Sequence, residues 1–179
     1  LSAEETSFGL THFLERGERT DKLHFIMPNR CFLAHPLRSK RDSEPFWFKA
    51  LFWYVPIDDE SHLHFLIMVY HTKRRERPAG TPIHEEIGAI ISGHKTWQDV
   101  AAHPNLIRIQ DGVAIVGQGK IVDRSRERLG TSDAAIILLR KIWSRELRLL
   151  DVGEEVTDFD TPDPQDLRRE EIIAMGSNA

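Results

Sequence analysis

The most constraining feature of the sequence is a pair of long apolar segments joined by a short polar turn. The first segment is FWFKALFWYVP (residues 46–56), the turn is IDDES, and the second segment is HLHFLIMVYH (residues 62–71). Aromatic and β-branched residues on both sides of a polar turn are typical of a β-hairpin. Because side chains alternate between faces and both sets here are largely apolar, we expect the first strand to be covered on both faces or to line a cavity.

The rest of the chain predicts more strands followed by one long helix. Short strand patterns occupy residues 8–14, 22–27 and 29–34, and residues 96–102 predict a helical turn. Thr131-Ser132-Asp133 is a helix-start signal and Gly153 a stop signal. The helix between them is predicted to bury one apolar stripe: Ile136, Leu139, Trp143, Leu147 and Leu150. The order predicts an α+β domain over residues 1–155, with the helix packed across an antiparallel sheet, and an acidic tail over residues 156–179.

Composition excludes several classes of protein. The formal net charge of -4 and the pI near 6.1 give no basic excess for binding nucleic acid. Cys31 is the only cysteine, so the chain alone can build neither a disulfide nor a Cys-ligated cluster, and Cys31 is predicted to be a small strand hydrophobe. There is no signal-peptide pattern and no apolar run of membrane-spanning length. These features predict a cytoplasmic protein that binds neither nucleic acid nor membrane.

Histidine is frequent, with nine in the chain. His62 and His64 form an HxH pair on a predicted strand, so both side chains leave the same face. Such a pair can bind a metal with a third ligand, as in cupin-like metalloenzymes, and this is kept as one alternative function. The simpler interpretation is that both imidazoles face solvent or bond to the acidic turn. His12 and His24 are predicted to lie on paired strands. One alternative is that they face each other across the hairpin, and the simpler one is that each is an ordinary packed or surface histidine.

The segment from residue 110 to 133 carries the most specific pattern. It contains three consecutive motifs: Gln110-Asp111, Gly119-Lys120-Ile121-Val122-Asp123-Arg124 and Glu127-Arg128-Leu129-Gly130-Thr131-Ser132-Asp133. This block, continued by AAIILLRKIWSRELRLL, resembles the C-terminal part of the catalytic domain of Rieske non-haem iron aromatic-ring-hydroxylating oxygenases. The similarity is greatest to the phthalate-dioxygenase-like branch. In that branch the Gln-Asp pair opens a helix.

The resemblance implies a fold, an activity and a set of partners. The fold is a helix-grip arrangement, an antiparallel sheet that curls around a long C-terminal helix, present here as its C-terminal portion. The activity is hydroxylation or O-demethylation of an aromatic, optionally carboxylated, substrate with O₂ and electrons from a reductase or ferredoxin. The oligomer implied is a homotrimer. The cofactors are a mononuclear Fe(II), held by two histidines and one carboxylate, and a Rieske [2Fe-2S] cluster.

Among the implied ligands, only the carboxylate has a counterpart in these 179 residues. Asp111 stands at its position, whereas no two histidines have the family's His-x₄-His spacing and the cysteines of a Rieske motif are absent. We therefore expect the chain to be a fragment whose histidine ligands and cluster lie on sequence not included here. Val116 and Lys120 also depart from the family pattern. These departures favour a second alternative, a non-catalytic module of the same fold that binds hydrophobic ligands and has lost the metal.

Three polar residues are candidate anchors for a substrate carboxylate: Asn29, Arg30 and Arg38. Arginine can hold a carboxylate through two parallel hydrogen bonds. The aromatic rows of the 46–55 and 62–70 strands are predicted to line an apolar pocket near Asp111.

Overall fold

The computed structural model describes residues 1–17, 19–37, 46–71 and 83–162. These residues group into two compact units. The first comprises Leu1–Lys73 and Arg128–Ala179, and the second comprises Arg74–Glu127.

The first unit contains a six-stranded antiparallel sheet in sequential order. Its strands are β1 (Ser2–Thr6), β2 (Gly9–Arg16), β3 (Arg19–Ile26), β4 (Arg30–Leu37), β5 (Phe46–Pro56) and β6 (His62–His71). Each strand pairs only with its sequence neighbours, so β1 and β6 form the two edges. The predicted 46–56/62–71 hairpin is confirmed, with Pro56 opposite His62 and Trp47 opposite His71. Strand β1 was not predicted, and β4 extends three residues further than expected, through His35, Pro36 and Leu37.

One long helix, α4 (Ala134–Asp151), packs on this sheet against β1 and β2. It follows a 3₁₀ turn, Thr131–Asp133, in which the Asp133 carboxylate accepts a hydrogen bond of 2.8 Å from the Gly130 N–H. Gly153 lies just after the helix with a φ of +74°, a conformation that favours glycine. The α+β prediction is therefore confirmed, and a six-stranded antiparallel sheet with a C-terminal helix is compatible with a helix-grip-like fold.

The core of this unit lies between α4 and the β2–β3 part of the sheet. Leu10, Met27 and Ile142 are its most buried members, and six partly buried residues pack around them: Phe25, Ala135, Leu138, Leu139, Trp143 and Phe159. We call the sheet face that carries Leu10 and Phe25 the helix-side face, and the opposite one the outer face.

The predicted stripe of α4 was partly wrong. Leu139 and Trp143 pack on the core, but Ile136, Leu147 and Leu150 are exposed, and Ile142 and Glu146 take the most buried positions. Glu146 explains the error, because a glutamate on the buried face interrupts the apolar periodicity from which a helix face is predicted.

The second unit contains three helices: α1 (His84–Ile91), α2 (Trp97–Val100) and α3 (Leu106–Val116). Helix α2 is the predicted helical turn, and Thr96 and Asp99 cap it reciprocally. Helix α1 was not predicted. No helix in the described residues is long and apolar enough to cross a bilayer.

Candidate functional site

Asp111 lies in the middle of α3, not at the start of a helix as the resemblance implied. The helix begins five residues earlier, at Leu106, and buries Ile109 completely. Helices α1 and α3 pack closely at Gly112, where an added Cβ would collide with Cδ1 of Ile87. A larger residue next to Asp111 would therefore require the Ile87 side chain to shift.

The Asp111 carboxylate points away from this packed face. Two residues on from Ile109, it lies about 200° around the helix from that buried side chain. The neighbours on its own side are exposed: Ile107 at 72%, Ile115 at 63%, Ala114 and the charged Arg108. Within the described part of the chain, no hydrogen bond or ion pair holds the carboxylate. The Asp111 carboxylate therefore lies on an exposed side of α3 that carries Arg108 as well as apolar residues.

Asp123 differs from Asp111 in its local bonding. Its Oδ1 accepts hydrogen bonds from the Ser125 N–H at 3.1 Å and the Ser125 hydroxyl at 2.6 Å, at the start of the 3₁₀ turn Arg124–Arg126. Arg124 pairs instead with Glu127 at 3.1 Å. The charged run around Asp123 predicts either a pair with Arg124, Arg126 or Arg128 or a cap of local structure, and the structure shows the cap.

The HxH pair lies on the helix-side face of β6 among other rings. His64 stacks on Tyr54 with centroids 4.7 Å apart and 15° between ring planes, and on Phe52 at 5.7 Å. His62 lies 5.7 Å from Tyr54 and 6.5 Å from His64. The pKa of His64 is lowered. The larger cause is partial burial, and the smaller one is the nearby His62. Sequence reasoning found both imidazoles but missed the stacking, although residues 54 and 64 can be paired by counting outward from the predicted turn.

No three His, Cys, Asp or Glu side chains within residues 1–17, 19–37, 46–71 and 83–162 come together in a way that could hold a metal ion. Asp111 and the His62/His64 pair each lack further ligands within that set. The residues present therefore fit one position of a two-histidine, one-carboxylate iron site and not the complete site.

His12 and His24 lie on paired strands, as predicted, but they do not face each other. His12 pairs with Leu23, and His24 pairs with Thr11, so the two imidazoles lie on opposite faces of the sheet. The His24 Nδ1 is 2.9 Å from the Thr11 hydroxyl.

Two of the three candidate anchor residues, Asn29 and Arg30, lie at the start of β4. The Asn29 Oδ1 accepts a hydrogen bond of 3.1 Å from the Trp53 indole N–H, and its carbonyl accepts one from the Tyr54 N–H. Arg30 donates to the Met27 carbonyl at 3.4 Å. Arg38 lies outside the described residues. Substrate anchoring by these three residues stays a prediction, as does a pocket near Asp111.

Cys31 behaves as the predicted strand hydrophobe. It lies between Phe25 and Phe52 in the register of the helix-side face. Burial raises the pKa of its thiol to about 11, so it stays protonated and unreactive near neutral pH.

Comparison with known proteins gives one relevant relative. The chain is 32% identical over 119 residues to the 5,5'-dehydrodivanillate O-demethylase oxygenase subunit of Sphingobium sp. (strain NBRC 103272 / SYK-6). The match covers 61% of this chain and 26% of that protein, so the chain spans about a quarter of the relative's length. No family model and no solved structure matches the chain.

Proposed function

We propose that these residues form the C-terminal portion of the catalytic domain of a Rieske-type aromatic oxygenase, in the phthalate-dioxygenase-like branch. The observation that carries the proposal is the 32% identity to an O-demethylase oxygenase subunit. The parent protein would hydroxylate or O-demethylate an aromatic substrate with O₂ and electrons from a reductase or ferredoxin.

Asp111 is the residue of this chain that would hold the mononuclear iron. It is a hard anionic ligand on a helix, without a hydrogen-bond or ion-pair partner among the described residues. The bound iron would supply O₂ activation beside the substrate. The two imidazoles and the Rieske cluster would come from the part of the parent that these residues do not include.

The sheet would contribute to substrate binding. Its helix-side face carries Phe52, Tyr54 and Leu66 next to the partly buried Cys31, and these side chains suit an aromatic ring. Arg30, Asn29 and Arg38 are the candidate anchors for a substrate carboxylate.

A metal-free module that binds hydrophobic ligands is the second candidate. The lack of a three-residue ligand group among the described residues favours it. No structural observation favours a cupin-like enzyme that uses His62 and His64. The His64 ring stacks on Tyr54, the His62 ring is tilted against it, and the described residues bring no third ligand to the pair.

Two measurements test the proposal. The purified 179-residue chain should contain well under one equivalent of iron after dialysis, because one carboxylate leaves most of the coordination shell to water. Stoichiometric, dialysis-resistant iron would reject this and favour a site built within the chain.

The second measurement uses the complete parent polypeptide. Asp111→Ala should abolish iron binding and turnover while the fold and the Rieske spectrum stay intact. Asp111→Glu should keep the charge but displace it by about one methylene, enough to impair turnover at a site that tolerates roughly 0.5 Å. Asp123→Ala is the matched control and should keep its iron. If Asp123→Ala loses iron while Asp111→Ala retains it, the ligand assignment is wrong.

A further inference from the structure

Four rings lie together on the helix-side face of the β5–β6 hairpin. Phe52 and Tyr54 on β5 have centroids 6.5 Å apart and ring planes within 6° of parallel. His64 on β6 lies 4.7 Å from Tyr54 at 15° and 5.7 Å from Phe52 at 18°. His62 is tilted, by 58° against Tyr54 and by 47° against His64. We call these four side chains the ring set.

The three near-parallel rings of the ring set suit the addition of one more flat ring. Aromatic pairs prefer offset stacking or edge-to-face contact, with centroids roughly 4.5–7 Å apart. The contacts among Phe52, Tyr54 and His64 already have this geometry. Tyr54 is 37% exposed, and His64 is exposed as well. A planar ligand can therefore reach these rings and stack parallel to them.

The ring set also offers uncharged hydrogen-bonding groups. Neither the His64 ring nitrogens nor the Tyr54 hydroxyl has a hydrogen-bond partner among the residues that the structure describes. Burial, and to a smaller extent Cys31, raises the pKa of Tyr54, whereas the pKa of His64 is lowered, so both groups are neutral near pH 7. A neutral imidazole has one donor and one acceptor nitrogen. His64 can therefore accept a hydrogen bond from a phenol hydroxyl.

The charges around the ring set favour a neutral ligand. The helix-side positions of β5 and β6 carry no lysine, arginine, aspartate or glutamate, because Lys49 lies opposite Val69 on the outer face. Arg30 lies opposite Trp53, also on the outer face. A carboxylate bound here would have to protonate His64 against the burial that lowers its pKa. A phenol needs no such change of charge.

We propose that the ring set binds a phenol ring of the substrate and that His64 accepts a hydrogen bond from the phenol hydroxyl. The inference rests on the proposed function, which supplies an aromatic substrate. His64 is then a specificity-determining residue, which selects rings that carry a hydroxyl over rings in which that hydroxyl is methylated. The anchors proposed for a substrate carboxylate concern a different group of the substrate.

The binding of two small ligands to the 179-residue chain tests the inference. Guaiacol, which is 2-methoxyphenol, carries the hydroxyl, and 1,2-dimethoxybenzene has a second methoxy group in its place. Ring-proton NMR follows His64 and Tyr54 while each ligand is added at pH 7.5. Guaiacol should shift both sets of signals saturably and bind about fivefold more tightly, the factor that one net hydrogen bond contributes. Equal affinities, or no saturable shift at His64, would overturn the inference.

A matched pair of variants assigns the hydrogen bond to one residue. His64→Phe keeps a flat ring but removes both nitrogens, so it should abolish the preference for guaiacol and leave the affinity for 1,2-dimethoxybenzene within about twofold. His84→Phe makes the same exchange on α1, at a side chain that is 78% exposed, and should change neither affinity. An undiminished preference for guaiacol in His64→Phe would show that His64 is not the acceptor.

The effect of each ligand on the pKa of His64 gives an independent measurement. The titratable groups that face His64 are His62 on its own strand and Tyr54 on β5, with Cys31 close to Tyr54. A ligand that donates to His64 binds the neutral imidazole, so saturating guaiacol should lower the pKa of His64 further. Affinity for guaiacol should therefore fall as the pH drops through that pKa. A rise in the pKa with guaiacol, or tighter binding of benzoate than of guaiacol at pH 7.5, would contradict the inference.

The complete parent polypeptide separates this inference from the proposed function. His64→Phe there should raise the KM for a phenolic substrate by about fivefold and leave the iron content unchanged. Guaiacol binding at the ring set in a parent without iron or turnover would support the ring set and reject the oxygenase assignment. Iron and turnover with a KM that His64→Phe does not alter would do the reverse.

Discussion

The two edge strands of the sheet differ in length, in composition and in what lies against them. Strand β1 has five residues, SAEET, and α4 packs beside it, with Arg145 bonded to Glu5 at 2.7 Å. Strand β6 has ten mostly apolar residues, exposed wherever their burial is described. Among the described residues, β1 therefore has the chain's own helix beside it, whereas the β6 side chains are exposed. We therefore expect substitutions near β1 to lower the stability of the isolated chain most. We expect association with other molecules, if it occurs, to involve β6.

A matched pair of isoleucines gives the largest expected contrast. Ile142→Ala removes an α4 side chain that is 1% exposed and lies in the core. The substitution should lower the free energy of unfolding by about 2–5 kcal/mol. Ile67→Ala removes one that is 57% exposed on β6 and should cost under about 1 kcal/mol. Denaturant unfolding of the 179-residue chain measures both. Equal losses would show that β6 is covered in this chain.

Two glycines test whether the turn at the β1 edge is tightly constrained. Gly9 has a φ of +138°, and an added Cβ would collide with the Phe25 carbonyl oxygen. Gly9→Ala should therefore cost about 2–4 kcal/mol, from backbone strain and overpacking together. Gly17, with a φ of +65° and nothing within 4 Å, is the control and should cost about 1 kcal/mol as alanine. A smaller loss at Gly9 than at Gly17 would contradict the close approach of β2 and β3 there.

Glu146 joins α4 to the segment that follows it. It is 5% exposed, and its carboxylate accepts hydrogen bonds from the Thr157 N–H at 2.8 Å, the Thr157 hydroxyl and Arg145. Burial opposes ionisation, but these hydrogen bonds outweigh it and lower the pKa of Glu146. Glu146→Gln should cost about 1–3 kcal/mol at pH 7. Glu86→Gln, which breaks an exposed pair with Lys95, should cost under about 1 kcal/mol.

The pH dependence of this contribution has a definite sign. Because the folded-state pKa is lowered, the stabilisation by Glu146 is complete above the unfolded value of about 4.3 and is lost as the pH falls through the folded value. The difference in melting temperature between wild type and Glu146→Gln should be constant from pH 7 to about 5.5 and shrink below about 4.3. If the difference in melting temperature grows as the pH falls, folding raises the pKa of Glu146 and does not lower it.

The sequence predicted those parts of the fold that local pattern determines. The β5–β6 hairpin was predicted to the residue, because a polar turn lies between two long apolar segments. The start of α4 was also predicted, because the cap residues are local. Strand β1 was missed because SAEET has little alternation of apolar and polar residues. Pairing with β2 holds this segment in the sheet. The buried face of α4 was partly missed, because the partner that satisfies Glu146 is eleven residues away, at Thr157.

The candidate site was predicted less completely than the fold. Asp111 was selected by resemblance alone, and no local rule could show that its carboxylate has no partner among the described residues or that a larger residue in place of Gly112 would require Ile87 to shift. Asp123 was predicted correctly because an Asp-x-Ser cap is local. Asn29 bonds to Trp53, and Arg30 bonds to Met27. These contacts depend on strand register and turn geometry, which the local sequence does not show.

The smallest expected effect concerns His64 on β6. Its pKa is lowered, first by partial burial against neighbouring rings and then by His62. His62→Gln removes the second cause only, so the pKa of His64 should rise but stay below its ordinary value. Leu63→Ala, on the opposite face, is the control and should leave that pKa unchanged. Ring-proton NMR titration measures each value. If the pKa of His64 does not rise in His62→Gln, the assignment of His62 as the second cause is wrong.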